Sequence, residues 1–376
     1  GGIAIDNSGH VQVDGQQLAT TGALSHRNMC INGGMAVAQR AITSTGNTTG
    51  GYKAVDRFQT GISTAGTWTI SQSSEVPDGF SDSIKYSCTT ADTSLDSTSE
   101  LWLAQKIEAQ NLQHLDYDRS SAQDCTFSFY LKTNKTGVYT VEIFQADADR
   151  TVGFEANVTQ TGWARYEFVV PGDTAGTINN DAGIGLWLFI WMASGTGKTS
   201  GTFTNGTWAA NATTNRLSSS QVNFADSTAN ELFVTGYQFE LGRKATPYEH
   251  RSYGDELACC QRYFQTSFTD NPGTGNTSNV GIVLAGGSTT GNSTTFLGPA
   301  HIQLAPNMRA TPTVTIFDLA NPRNTGKVHR HTYGSAGTNN NTAVVTDTNT
   351  KSFIVRSDSG ISASGIIFHY QVEAEL

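Results

Sequence analysis

The sequence predicts an all-β protein with three parts: a short N-terminal stem, a jelly-roll-like β-sandwich, and a second, smaller C-terminal β-sandwich that forms a tip domain. Apolar and polar residues alternate in many short segments, which is typical of half-buried strands. Charged residues make up only 15% of the 376 residues, and 39 glycines with abundant Ser, Thr and Asn supply turns. The segment from Glu231 to Phe264 separates longer strands before it from shorter, Gly/Asn/Thr-rich strands after it.

The predicted stem comprises residues 1–27 and holds two very short strands, at 3–5 and 11–13, separated by a turn at 7–9. Strands this short bury little apolar surface by themselves. We expect them to become stable when copies from several chains share one core, as in a thin oligomeric stem. The alternative interpretation is a frayed terminus.

Residues 28–250 are predicted to form the jelly-roll-like sandwich. Four segments alternate as half-buried antiparallel strands: 125–131, 139–143, 152–158 and 166–170. The segment GLWLFIW at 185–191 is apolar on both faces, which predicts a central strand covered on each side. Turn clusters punctuate these strands at spacings typical of a two-sheet sandwich.

The last strand of this domain is predicted near 231–241. Its apolar residues are expected on one buried face, with Gly242 ending the strand; they are Phe233, Tyr237, Phe239 and Leu241.

A hinge and a short helix are predicted at 251–265. Pro247 disfavours helix at the preceding residue, and Ser252 with Asp255 forms a capping-box pattern. The helical spacing of Leu257, Cys260 and Phe264 predicts the buried side of this helix.

The tip domain is predicted at 266–376. Its shorter strands are expected near 280–284, 314–316, 353–355 and 366–373. The loops at 286–295 and 334–342 are long, polar and rich in small residues. Such loops often bind ligands, although loops of this kind are at least as often flexible connections without a ligand.

Several segments together resemble bacteriophage tail-fibre proteins in which a jelly-roll-like domain precedes a tip domain. They are NMCINGGMAVAQR at 28–40, the junction FELG, TPYEHRSYGDEL and CQRYF, and HYQVEAEL at the C-terminus. The resemblance covers most of 28–264 and the last few residues. It implies a virion protein that attaches to the host and forms a homotrimer. It also implies attachment to other virion tail proteins through the N-terminal side, and binding to a host cell-surface polysaccharide or lipopolysaccharide.

Composition argues against two classes of partner. The net charge of −9 and a pI near 5.3 disfavour nucleic acid, which requires a basic face. The longest apolar run, 184–193, is about half of the ~20 residues that a membrane-spanning helix needs, so we expect no membrane insertion. The five cysteines include no CxxC pair and are predicted to be buried free thiols. No signal peptide is recognisable, and a chain that starts at Gly1 is expected to be a fragment or a processed product.

No catalytic residue, cofactor or metal is predicted. SGTGKTSG at 194–201 resembles a phosphate-binding loop, but Met192 stands where the motif needs glycine, and no following helix is expected. The carboxylate pairs Asp147/Asp149 and Asp116/Asp118 are typical of polar turns, although a glycosidase could use such a pair. A virion-associated polysaccharide depolymerase and a purely structural fibre or decoration protein are therefore the alternatives to receptor binding.

The tryptophans are candidate platforms for sugar rings. Trp102, Trp187 and Trp191 are predicted to be core residues, whereas Trp208 lies in a polar, loop-like segment and is the best exposed candidate for binding a glycan.

The densest polar cluster is the segment 329–333, HRHTY. In a strand, His329, His331 and Tyr333 share one face while Arg330 takes the other. The predicted ligand-binding residues here are Arg330, His331 and Tyr333, which supply donors and an aromatic face to a glycan. The alternatives are a transition metal held by His329 and His331 around a trimer axis, and an exposed polar strand without a ligand.

Overall fold

The structure is a computed structural model. It describes residues 26–268, 280–285, 299–320, 323–332, 335–358 and 365–376, and it describes the backbone alone for 3–5, 11–13, 16–17, 331–332 and 335–338.

Where the structure describes the stem region, it shows three very short strands: β1 (Ile3–Ile5), β2 (Val11–Val13) and β3 (Gln16–Gln17). β2 pairs antiparallel with both β1 and β3. The two predicted strands are therefore confirmed, and a third is added. The predicted turn at 7–9 lies outside the described residues.

Thirteen strands between residues 43 and 241 form the sandwich. They are β4 (Thr43–Asn47), β5 (Gly51–Tyr52), β6 (Gln59–Ser63), β7 (Thr67–Ser73), β8 (Ser83–Thr90), β9 (Glu100–Glu108), β10 (Cys125–Thr133), β11 (Gly137–Gln145), β12 (Arg150–Val158), β13 (Ala164–Val170), β14 (Ile184–Ser194), β15 (Ala209–Ala210) and β16 (Glu231–Leu241). One sheet has the order β13-β10-β16-β8-β7-β4, and the other has the order β15-β12-β11-β14-β9-β6-β5. Two 3₁₀ turns, Ala109–Leu115 and Thr213–Asn215, and the four-residue helix α1 (Thr196–Thr199) lie in the connections.

The inner faces of the two sheets form one apolar core. Cys125, Phe127, Phe129 and Leu131 of β10 are all buried in it, as their alternation predicts. The hydroxyl of Tyr237 on β16 donates to the carbonyl of Leu188 on β14 at 2.7 Å, which ties one sheet to the other. The all-β sandwich that the sequence predicts is confirmed.

β16 differs from the prediction because both of its faces are buried. The pairing with β10 shifts register between Ser128 and Tyr130, opposite Gly236, whose φ is +63°. This bulge moves Phe233 to the face opposite Tyr237, where Phe233 packs against Trp163 at 6.3 Å between ring centroids. The sequence interpretation was wrong here because it assumed unbroken alternation.

β14 is central, as predicted, and lies between β11 and β9. On the outer face of its sheet, Trp102, Phe189 and Trp191 form a separate buried aromatic cluster, against which the half-buried Trp187 packs. The guanidinium of Arg216 covers Trp191 at 5.4 Å from the ring centroid.

The predicted helix is α2 (Tyr253–Gln261), and the predicted cap is present: the Ser252 side chain accepts a hydrogen bond from the Asp255 backbone N–H. The helix ends earlier than its spacing predicted, because Phe264 belongs to the next strand. Glu256 and Cys260 are its buried residues, and Leu257 is only half-buried.

The described residues of the C-terminal region form eight strands: β17 (Phe264–Thr266), β18 (Val283–Ala285), β19 (Ala300–Gln303), β20 (Thr313–Phe317), β21 (Lys327–Thr332), β22 (Ser335–Thr346), β23 (Ser352–Ser357) and β24 (Gly365–Glu373). β24 is the central element, because it pairs antiparallel with β17, β18, β20 and β21. A second apolar core, separate from that of the sandwich, includes Phe353, Ile366, Phe368 and Val372.

The end of the chain returns to the sandwich. Glu375 forms ion pairs with the buried guanidinium of Arg57 and with Arg40 at 3.0 Å. The ring of Tyr263 stacks under the Arg57 guanidinium at 3.4 Å, and Lys106 donates to the backbone oxygen of Leu376 at 2.5 Å. These contacts join the C-terminal end of the chain directly to the sandwich.

All five cysteines lie within the described residues and are free, as expected. The expected burial is confirmed for four of them, whereas Cys259 is only half-buried because it lies toward the outer side of α2. Among the helices of the described residues, none combines the length and the apolar character that a membrane span requires.

Candidate functional site

The predicted HRHTY site lies largely on β21. In the backbone pairing with β24, His329 faces Ile367, Arg330 faces Ile366 and His331 faces Gly365. His329 is half-buried, with Nδ1 2.7 Å from Oδ1 of Asn339, and Arg330 is also half-buried. The His331 side chain and the whole of Tyr333 lie outside the described residues. Ligand binding by Arg330, His331 and Tyr333, and the alternative metal site at His329 and His331, stay predictions.

Trp208 is half-buried and packs against the sandwich core. Its indole N–H donates to the Pro171 carbonyl at 2.6 Å, and its ring meets Tyr117 edge to face at 6.1 Å. The indole N–H edge of Trp208 is therefore bonded within the protein, and less of the ring is exposed to solvent than the sequence indicated. Its role as a glycan-binding residue stays a prediction.

The carboxylates considered for hydrolysis are engaged in holding loops. Asp147 accepts hydrogen bonds from the backbone and side chain of Asn179, and Asp149 accepts one from Asn211.

The carboxylates of the second pair, Asp116 and Asp118, also hold loops in place. Asp116 accepts from Ser121 and pairs with Arg119, while Asp118 accepts from Thr177 at 2.7 Å.

The phosphate-loop lookalike does contain a helical turn, α1, contrary to expectation. Its Lys198 is nevertheless paired with Glu100 at 2.8 Å, and the Gly197 N–H donates to the Ser97 carbonyl. The groups that would hold a phosphate are therefore occupied by the protein itself.

A cavity of about 460 Å³ lies between the sandwich and α2. We call it the hinge pocket. The sandwich contributes the turn at 32–36 and the loop at 79–82, and the chain entering α2 contributes 248–256. This volume is within the usual range for small-ligand sites.

Aromatic rings make up much of the wall of the hinge pocket. Phe80 packs against Tyr248 at 5.0 Å, His250 at 5.3 Å and Tyr130 at 5.3 Å between centroids. Tyr253, at the start of α2, also lines the cavity and is 61% exposed. Burial raises the pKa of the Tyr248 hydroxyl far above its usual value, so this hydroxyl stays protonated.

Gly236 allows the rings of Phe80 and Tyr130 to pack against each other. A Cβ at that position would lie 2.8 Å from both Phe80 and Tyr130. The glycine therefore provides both the bulge in β16 and the space in which the two rings meet.

Two carboxylates and one guanidinium supply the charge of the hinge pocket. Glu256 accepts a hydrogen bond from the Asn32 backbone N–H and lies 3.5 Å from Nη1 of Arg251. Arg251 also lies 3.8 Å from Glu249 and donates to the carbonyls of Cys30 and Asn28. The positive charge of Arg251 is thus held by neighbouring protein groups.

Asp82 is different. One of its oxygens, Oδ2, accepts from the Ser81 hydroxyl at 2.6 Å. No lysine, arginine or histidine within the described ranges forms an ion pair with it. A half-buried carboxylate without a cation therefore faces a cavity lined by aromatic rings.

Sequence analysis missed the hinge pocket because its walls come from distant segments, near 32, 80 and 250. One signal was present: Tyr248, His250 and Tyr253 concentrate three rings within six residues. Their functional meaning depends on Phe80, which only the tertiary fold brings alongside them.

No protein-family model matches the chain, and no curated protein matches it. Among solved structures, it is similar to the "CBM22-1 xylan-binding domain from Paenibacillus barcinonensis Xyn10C", with 10% identity over 55% of this chain and 100% of that chain, at a TM-score of 0.27. It is also similar to a "Family 16 Carbohydrate Binding Module-2", with 11% identity over 45% of this chain and 84% of that chain, at a TM-score of 0.25. A third similar structure is "TmCBM61 in complex with beta-1,4-galactotriose", with 12% identity over 58% of this chain and 99% of that chain, at a TM-score of 0.24. Similarity at this level carries no argument about function.

Proposed function

We propose that this chain is a glycan-binding structural protein of a bacteriophage tail fibre, and that the hinge pocket holds the sugar. The observation that carries the proposal is the hinge pocket itself, which is lined by both the exposed ring of Tyr253 and the carboxylate of Asp82. An aromatic ring covers the apolar face of a pyranose, and a carboxylate accepts hydrogen bonds from its hydroxyls. The cavity volume suits one or two sugar rings.

The tail-fibre part of the proposal is supported by the resemblance of 28–40 and of the junction at 239–264 to such proteins. The very short paired strands β1 to β3 suit a stem whose core several chains complete. The chain is then a homotrimer in the virion, attached to other tail proteins through its N-terminal side. Its ligand is a polysaccharide or lipopolysaccharide of the host surface.

A glycan array combined with a viscosity assay tests this function. We expect the full chain to bind a subset of glycans and to leave the viscosity of the matching polysaccharide unchanged. Loss of viscosity would instead favour a depolymerase, and the absence of both signals would favour a purely structural protein.

Tyr253→Ala is the informative variant for the array. No residue in the described part of the chain forms a hydrogen bond with this side chain, which is largely exposed, so its removal should spare the fold. Ile42→Ala, which truncates an apolar side chain that is 58% exposed elsewhere, is the matched control. We expect binding to fall by about tenfold or more with Tyr253→Ala and to stay unchanged with Ile42→Ala.

A further inference from the structure

The charge of the hinge pocket limits the kind of sugar that fits. Of the side chains that line it, Asp82 and Glu256 are acidic, Arg251 is basic, and His250 is an imidazole that packs against Phe80 and Tyr248. The Arg251 guanidinium already serves Glu256, Glu249 and two backbone carbonyls. An anionic sugar would therefore meet two carboxylates and, among the described lining residues, no arginine or lysine free to pair with it, and it would lose its hydration there.

Asp82 provides a specific partner for a positive charge. The Ser81 hydroxyl bonds only to Oδ2, and no described residue donates to Oδ1. Hydrogen bonds between an ammonium group and a carboxylate are about twice as strong as neutral ones. A ligand ammonium could thus pair with a carboxylate oxygen to which no described residue donates.

The aromatic rings that line the hinge pocket together with Asp82 also favour a cationic ligand. Aromatic faces attract cations through their quadrupole, most strongly where water is partly excluded. Elsewhere in this protein such faces are covered by its own cations, as Arg57 covers Tyr263. Among the described residues, no lysine or arginine lies over Phe80, Tyr248 or Tyr253.

We propose that the hinge pocket binds a sugar that carries a free, cationic amino group, with the ammonium between the Asp82 carboxylate and the aromatic wall. This inference rests on the proposed function, because it names the class of glycan for the same site.

The test is a titration calorimetry series on the full chain, at a pH at which sugar amines are protonated. The probes are a β-1,4-linked glucosamine tetramer, its fully N-acetylated counterpart and a tetramer of galacturonic acid. We expect the glucosamine tetramer to bind about tenfold more tightly than the N-acetylated one, the size of one charge-assisted contact, and the galacturonic acid tetramer not to bind.

The substitution Asp82→Asn removes the negative charge of the side chain and keeps nearly the same side-chain shape. Asparagine keeps an acceptor for Ser81, and the contact from Thr235 goes to the Asp82 backbone carbonyl, so the fold should persist. We expect this variant to lose about tenfold in affinity for the glucosamine tetramer and to keep its affinity for the N-acetylated one. A thermal melt verifies that the variant is folded.

The outcomes distinguish the two proposals. Equal binding of the two tetramers, or no effect of Asp82→Asn, would overturn the amino-sugar assignment while leaving glycan binding intact. Binding of no glycan, here or on the array, would overturn both. Choline chloride serves as a competitor, and displacement by choline as efficient as by glucosamine would overturn the assignment to a sugar.

Discussion

Arg262, which follows α2, and Glu108, at the end of β9, form a two-pronged ion pair with N–O distances of 3.0 and 2.9 Å. The Glu108 side chain is fully buried and also accepts from the Tyr263 hydroxyl at 2.5 Å. Burial alone would raise the pKa of Glu108, but the hydrogen bonds from Arg262 and Tyr263 outweigh it and hold the pKa below its usual value. This contact fixes the end of α2 against the sandwich, and the beginning of α2 lines the hinge pocket.

Removal of the arginine should destabilise the protein. In Arg262→Ala a buried carboxylate keeps only the Tyr263 and Gln110 donors, and we expect a loss of about 3 kcal/mol in the free energy of unfolding. Urea denaturation of the variant and the wild type measures the difference.

Arg119→Ala is the control for this variant. It breaks an exposed pair with Asp116, for which we expect a loss below about 0.5 kcal/mol. Equal losses in the two variants would contradict the role assigned to the Arg262–Glu108 pair.

Asp56 should make the protein less stable as the pH rises. Burial raises the pKa of this carboxyl to about 7, against the hydrogen bonds that it accepts from Gln39. The unfolded chain has a pKa of about 3.9 here, so the folded state binds the extra proton between about pH 4 and 7. Stability then falls with rising pH in that window, by up to about 1.4 kcal/mol per unit, and levels off above it.

The comparison of wild type with Asp56→Asn isolates this effect. Urea midpoints across the same window should decline less steeply in the variant. Parallel pH profiles would show that Asp56 does not titrate in this way. The Glu108 contribution has the opposite sign and a lower window: it is present above its unfolded pKa of about 4.3 and is lost as the pH falls below it.

Gly236 should tolerate no side chain. Alanine would be strained at φ +63° and would press on Phe80 and Tyr130, so we expect Gly236→Ala to cost about 1–3 kcal/mol and to weaken glycan binding through the displaced Phe80 ring. Gly162→Ala meets no atom within 4 Å and should change stability by less than about 0.5 kcal/mol. Thermal melts of both variants measure this, and a Gly236→Ala protein as stable as wild type would refute the proposed requirement.

Trimerisation follows from the proposed stem. Light scattering of the intact chain should give about three times the chain mass of 40.1 kDa, because edges left unpaired in one copy would be covered by others. A stable monomer at micromolar concentration would contradict the fibre assignment, although not glycan binding itself.

The sequence predicted those features that are decided by neighbouring residues. The cap at Ser252 and the buried face of β10 follow from local side chains, and both were found where the pattern placed them. The face of Phe233 was predicted wrongly, since one glycine with positive φ reverses the alternation beyond it. The hinge pocket could not be predicted, because Phe80 and Tyr248 meet only through the pairing of β8 with β16 and the return of the chain toward α2.

The most direct test of glycan binding in the hinge pocket is a calorimetric titration of three proteins with the best glycan from the array. We expect the wild type and Arg330→Ala to bind alike, and Tyr253→Ala to lose affinity by about tenfold or more. If Arg330→Ala loses binding while Tyr253→Ala keeps it, the sugar is held by the tip strand β21, and the hinge pocket is not the receptor-binding site.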